Sequence, residues 1–242
     1  MKAPMLVLVT GLGFICSKAN GAVPFWVPGG PSEPGNSSLA APFQTSTSSR
    51  LQQVYGESAF RFVEPGQGFL IREIHFRLDE AMGVPFSETF PDFQVNLSTT
   101  SRGPDQLSPV FAENIGANQT TVYTRSSLAV SASRIGFSVQ IPFSRPFLYD
   151  PYAGNLLLDI SNFQPGTASP LDAVAKLGDS VSIVGGRATD LQGLTFTAGL
   201  ATEFVVDIVP IPEPRTWALL LLAGAVLVSS SMHRRLCHMR HQ

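Results

Sequence analysis

At 242 residues, with a formal net charge of −2 and 14% charged residues, the chain is long enough for one medium core plus processing segments. Between Ala22 and Asp207 ten basic residues stand against seventeen acidic ones, with Lys176 the lone lysine, so there is no basic stripe to hold a phosphate backbone and no nucleic acid is expected as a partner. Both cysteines fall near the ends, Cys16 in an apolar run and Cys237 in a basic tail, which excludes disulfides, Cys-ligated zinc and a thiol nucleophile from the region between them.

Lys2 precedes an apolar run from Met5 to Ile15, and the small residues Ala19, Gly21 and Ala22 follow. This is the layout of a secretory signal peptide, too short to serve as a permanent anchor. Residues 1–22 are therefore expected to form a signal helix that engages the secretion machinery, with cleavage after Gly21 or Ala22. Phe14 and Ile15 are bulky where a lipobox ahead of Cys16 would need small residues. Residues 23–49 are rich in Pro, Gly, Ser and Ala without periodicity, and are expected as a flexible leader or an extended first strand.

From Arg50 the pattern changes. Ser58–Val63 and Gly68–Leu78 are expected as strands, the second with Ile74, Phe76 and Leu78 on one face. Phe93, Val95 and Leu97 alternate with polar residues, as do Phe137, Val139, Ile141 and Phe143, which is the period of a half-buried strand. Thr120–Arg125, Asn155–Ser161, Ser180–Val184 and Thr202–Val209 complete the set, and Val184-Gly185-Gly186-Arg187 reads as a turn. Further turn clusters lie at Glu64-Pro65-Gly66, Arg102-Gly103-Pro104-Asp105, Asp150-Pro151 and Pro165-Gly166. About eight strands, each with one apolar face, bury those faces economically in two packed sheets. The expected fold of residues 50–208 is all-β: an antiparallel, jelly-roll-like β-sandwich.

Residues 209–242 differ again. Val209-Pro210-Ile211-Pro212-Glu213-Pro214-Arg215 leads into an apolar stretch, Thr216 to Val228, then three serines and a basic tail containing Arg234 and Arg235. A helix over 216–232 would be roughly 25 Å long, enough to cross a bilayer at the short end of the range. Because basic residues collect on the cytoplasmic side, Arg234 and Arg235 place the C-terminus inside and the preceding domain outside, with Trp217 at the outer interface.

The order of Pro212-Glu213-Pro214, then Trp217-Ala218-Leu219-Leu220 in an apolar helix, then Arg234-Arg235, resembles the PEP-CTERM sorting signal of bacterial exported proteins. That resemblance covers about the last thirty residues, which fits a short C-terminal address and not a domain. It implies processing by an exosortase, a membrane-embedded cysteine transpeptidase, in bacteria that make extracellular polysaccharide. The stretch from Gln53-Val54-Tyr55-Gly56 through Phe93–Thr100 to Ser101-Arg102-Gly103-Pro104-Asp105 is similar to an uncharacterised β domain of other such proteins.

Chemistry-bearing residues in the intervening region are sparse. His75 is its one histidine, there is no Gly-x-Ser-x-Gly elbow, and no Gly-rich phosphate loop occurs. No cofactor, metal site or catalytic set is expected. Glu73, Asp79, Glu80, Asp92, Asp105 and Asp159 leave open a paired-carboxylate glycosidase, the enzyme alternative to a non-enzymatic reading. Asp79-Glu80, Asp105 and Asp150 could offer oxygens to calcium but without ordered spacing. Trp26, Tyr55, Tyr123, Phe147, Tyr149 and Tyr152 could stack on sugars, though such rings are usually spent on the core. The expectation is an exported, non-enzymatic surface or matrix protein. Its expected contacts are the secretion machinery, an exosortase and the membrane, with polysaccharide as a candidate ligand. An unprocessed membrane-tethered domain is the further alternative.

Overall fold

The computed structural model describes residues 22–211. The expected signal segment with Ala19 and Gly21, the sorting motif Pro212, Glu213 and Pro214, and the helix flanks Trp217, Arg234 and Arg235 lie outside the described residues. No helix among the described residues is long and apolar enough to cross a membrane.

In chain order the strands are β1 (Val23–Val27), β2 (Ser37–Leu39), β3 (Gln44–Thr45), β4 (Ser49–Tyr55), β5 (Gln67–Phe76), β6 (Phe86–Thr100), β7 (Thr120–Ala132) and β8 (Val139–Tyr149). There follow β9 (Asn155–Asn162), β10 (Gly166–Thr167), β11 (Leu171–Ala175), β12 (Val181–Gly186), β13 (Leu194–Phe196), β14 (Ala198–Leu200) and β15 (Thr202–Pro210). They form a four-stranded sheet, β1-β15-β5-β8, and a six-stranded sheet, β13-β12-β4-β9-β6-β7. Two small sheets, β14-β11-β2 and β10-β3, complete the fold, and every pairing is antiparallel. The protein is all-β, consistent with a β-sandwich.

The period-two pattern explains which faces meet. Phe93, Val95 and Leu97 of β6, Leu158 and Ile160 of β9, and Leu51 and Tyr55 of β4 turn inward from the six-stranded sheet. Phe69, Ile71 and Ile74 of β5 and Phe204 and Val206 of β15 turn inward from the other. Their rings touch across the gap, with Tyr55 edge-on to Phe204 at 5.0 Å. Tyr55 hydroxyl and Thr202 hydroxyl share a hydrogen bond of 2.7 Å, and burial pushes the Tyr55 phenol far above its usual range. Burying a large apolar side chain of this kind contributes roughly 1.5–3 kcal/mol.

Several expectations are corrected. Ser58–Val63 is not a strand: Glu57–Phe60 is a 3₁₀ turn that carries Phe60 between the sheets, where its ring meets Phe25, Phe69, Tyr149 and Phe204. A single buried ring, with charged and half-exposed neighbours, is a plug and not a pleated face. Val184-Gly185-Gly186 is the end of β12 and not a turn, since it pairs with both β4 and β13; the turn begins at Arg187. Within 23–49, Val23–Val27 is the extended strand, lying along β15 with Phe25 opposite Phe204. Tyr55, Phe147 and Tyr149 are core residues, so they present no ring to a sugar.

Candidate functional site

Five of the six candidate carboxylates are individually partnered, Glu80 being the exception. Asp159 is 2% exposed on the outer face of the six-stranded sheet, held by Arg50 through Nε at 3.0 Å and Nη2 at 2.6 Å. Gln52 Nε2 donates to the same carboxylate at 3.1 Å, and Asn114 Nδ2 donates to Gln52 Oε1 at 3.0 Å. Asp92, on β6, binds Arg125 on β7, whose hydrogen bonds hold the Asp92 carboxyl below its usual range. Asp79 Oδ1 accepts from the amides of Ala81 and Met82 and so closes its own turn. Glu80 beside it is exposed. Asp105, in the left-handed region at φ 60°, accepts from the Gly178 amide at 2.9 Å.

Glu73 leads to His75. That histidine is 8% exposed on the central strand β5, with Nδ1 2.9 Å from Glu203 and Nε2 2.9 Å from Glu73. Glu203 sits opposite His75 on β15 and Glu73 two residues before it on β5, so the ring ties the two strands together. Among the described residues no group of three or more His, Cys, Asp or Glu is placed to hold a metal ion.

Two of the solvent-open grooves among the described residues have charged side chains of both signs in their walls. One, of about 390 Å³, lies where β5 ends, between Pro31–Pro34 and the Arg134–Gly136 turn. Its floor is Asp172, nearly buried, which receives Arg77 Nε at 2.5 Å and the Gly35 amide at 3.0 Å. Arg77 also donates to the carbonyls of Pro31 and Glu33, which pins the 31–35 loop. Arg77 and Asp172 are thereby engaged with each other and with the 31–35 loop, and Asp79, Glu80 and Arg134 are the other charged groups lining the groove.

The other groove, of about 670 Å³, runs along the β13 edge of the six-stranded sheet. Gln44, Thr45, Ser46 and Thr47 form one wall; Arg187, Asp190 and Gln192 form part of the other. Leu194 and Phe196, 70% and 50% exposed, stand on the edge strand itself. The exposed Phe196 face, with hydroxyl and amide groups on one wall and Arg187 and Asp190 on the other, offers the apolar surface and polar rim that a sugar ring can use. Phe196 was not among the aromatics singled out from sequence. Its strand is three residues long and every side chain in it is exposed, so no alternation marks it.

The third feature is the end from which the chain leaves the domain. Val23 lies opposite Val206, and Pro210 lies opposite Gln67. The start of β1 and the end of β15 are therefore about 14 Å apart along one strand. Phe62 is 59% exposed there, packed on Phe25 and Phe69, and Tyr152 donates its hydroxyl to the Val63 carbonyl at 2.9 Å.

No family model matches this chain, and no curated protein matches it either.

Proposed function

We propose that this is an exported, non-enzymatic surface protein, carried out by the secretion machinery. Its C-terminal helix holds it in the membrane, and an exosortase cuts it near Pro212-Glu213-Pro214. The observation that carries this reading is the ordered set of tripeptide, apolar stretch and Arg234-Arg235 pair. A second observation supports it: the two expected membrane-engaging segments adjoin the same end of the domain, so both can meet one bilayer without threading around it. The proposed location is the outer side of the cytoplasmic membrane, then the cell surface or matrix after processing.

The finer architecture we infer is a jelly roll. Counting β1, β4 to β9 and β15 as strands one to eight, the orders β1-β15-β5-β8 and β4-β9-β6-β7 become 1-8-3-6 and 2-7-4-5, the interleaved order of two Greek keys. The β13 groove is the proposed polysaccharide contact, on the ground of its exposed Phe196 and its Gln, Ser and Thr wall.

Mass spectrometry of the mature protein from native cells tests the sorting reading. A C-terminus within or next to Pro212-Glu213-Pro214 is expected; an intact tail ending at Gln242 in the envelope fraction overturns processing and leaves the plain tethered domain.

A further inference from the structure

The chain is pinned at its exit. After β15, the Ile211 amide donates to the Gly66 carbonyl at 2.8 Å, so the tether starts from the Glu64–Gln67 turn and not from a loose strand end. That turn is closed by Gln67 N–H to Glu64 carbonyl at 3.0 Å, with Gly66 at φ +86°, where a side chain would be strained. Only four residues, Pro212 to Arg215, separate Ile211 from the apolar stretch that begins at Thr216. Fully extended, the five steps from Ile211 to Thr216 reach at most about 18 Å.

If Thr216 onward enters the bilayer, the turn cannot stand farther than that from its surface. What the domain presents there is aromatic. Among the described residues the exposed large aromatics are Phe62 at 59%, Tyr152 at 42% and Phe196 at 50%, and the first two lie at this end. They are contiguous with the tether: Tyr152 is bonded to Val63, Arg61 lies over the Tyr152 ring at 5.3 Å, and Val63 precedes the Glu64–Gln67 turn. Half-exposed rings with a polar tip or a nearby cation are what the headgroup zone of a bilayer accepts.

We propose that this end of the domain, with Phe62 and Tyr152 foremost, rests on the lipid headgroup surface of the membrane that anchors the chain. Glu57, Glu64 and Asp150 share this end with Arg61, so the contact is carried by rings and apolar stems rather than by attraction to anionic lipid. The consequence is orientation: the 390 Å³ groove at the far end of β5 faces away from the membrane. The proposal rests on the anchored reading above.

The test is photo-crosslinking of the full-length chain in phosphatidylcholine vesicles doped in parallel with a lipid carrying a diazirine on its headgroup, which reports on the domain, and one carrying it in the acyl chain, which reports on the anchor, with adducts mapped by mass spectrometry. Adducts are expected on the peptides holding Phe62 and Tyr152 and on the 216–228 stretch, with none above background on Leu191–Phe196. Raising salt should leave the pattern unchanged. A Phe62→Ser, Tyr152→Ser variant should lose the domain adducts and keep those of the anchor. Anchor adducts alone, or equal labelling of the β13 edge, overturn the proposal while the anchored reading stands. Absence of adducts on 216–228 overturns both.

Discussion

Arg50 reaches Asp159 diagonally across the β4–β9 ladder, where Asp159 lies opposite Gln52, and the guanidinium meets the carboxylate with two nitrogens, Nε at 3.0 Å and Nη2 at 2.6 Å. Arg50 is also stacked on the Phe111 ring at 4.6 Å, so the pair fastens the Phe111–Asn114 turn onto the outer face of the six-stranded sheet. Around it Val54, Leu107, Phe111, Leu157 and Val184 make a second, smaller apolar cluster.

Removing one member of that pair strands the other. Arg50→Ala leaves a carboxylate that is 2% exposed with only Gln52 as a side-chain donor, and should cost about 3 kcal/mol of unfolding free energy. The double variant Arg50→Met, Asp159→Leu should recover most of that loss, because two buried charges are exchanged for packing. Urea unfolding of the three proteins checks both statements; a double variant no better than Arg50→Ala would contradict them.

Asp179 gives a pH signature. Burial pushes its carboxyl above the usual range; the Val181 amide opposes this, the Asp105 charge adds to it, and Lys176 opposes it. One oxygen, Oδ2, is buried without a partner. A carboxyl that holds its proton more tightly in the folded state contributes stability below the unfolded pKa and loses it as pH rises through the folded value. Asp179→Asn should therefore raise the thermal midpoint at neutral pH, with the gain vanishing below about pH 4. Thermal melts across that range decide it, and a gain that grows on acidification would refute the assignment.

Arg125 and Asp92 make the converse case on an exposed surface. The Arg125 hydrogen bonds draw the Asp92 carboxyl down, so the stability it contributes is present above the unfolded pKa and lost as pH falls through the lower, folded one. In Arg125→Gln the Asp92 titration should move back up towards the ordinary carboxylate value. Carboxyl-detected NMR titration reads this directly.

At the β13 groove, Phe196→Ala should weaken retention on neutral polysaccharide by roughly tenfold, taking a stacked ring at about 1–1.5 kcal/mol. The ring is half exposed, so the fold should be untouched, and an unchanged melting temperature serves as the control. Affinity electrophoresis in polysaccharide gels measures the effect. Equal retardation of both proteins would remove this groove from consideration.

A fifth test concerns the short tether. Inserting a flexible Gly-Ser segment between Ile211 and Pro212 widens the space between domain and bilayer, and should speed removal of the tail if access to Pro212-Glu213-Pro214 is what limits it. Pulse-chase analysis of the tail in the native host gives the rates.

Strand content was legible wherever apolar residues alternated. Phe93, Val95 and Leu97 lie buried on β6, and Val139 and Ile141 on β8, as their spacing requires. Ser58–Val63 misled because Phe60 is apolar for a different reason, as a plug set by a 3₁₀ turn. Gly185-Gly186 misled because paired glycines usually mark a turn, whereas here β12 lies between β4 and β13. The grooves were not legible at all, since each is assembled from stretches far apart in the chain: Gln44–Ser49 with Arg187–Phe196, and Pro31–Pro34 with Asp172.

What the sequence determined by itself is the all-β class, the inward set of most strands, and the expectation of lipid-seeking ends, because hydrophobic period and run length are local properties of the chain. Only tertiary structure decided that Asp159 and Asp92 are spent on ion pairs and His75 on contacts with Glu73 and Glu203, that Phe196 stands free on an edge, and that Val23 and Pro210 emerge at one end. Those facts depend on which strands become neighbours, and antiparallel pairing brings together residues separated by more than a hundred positions.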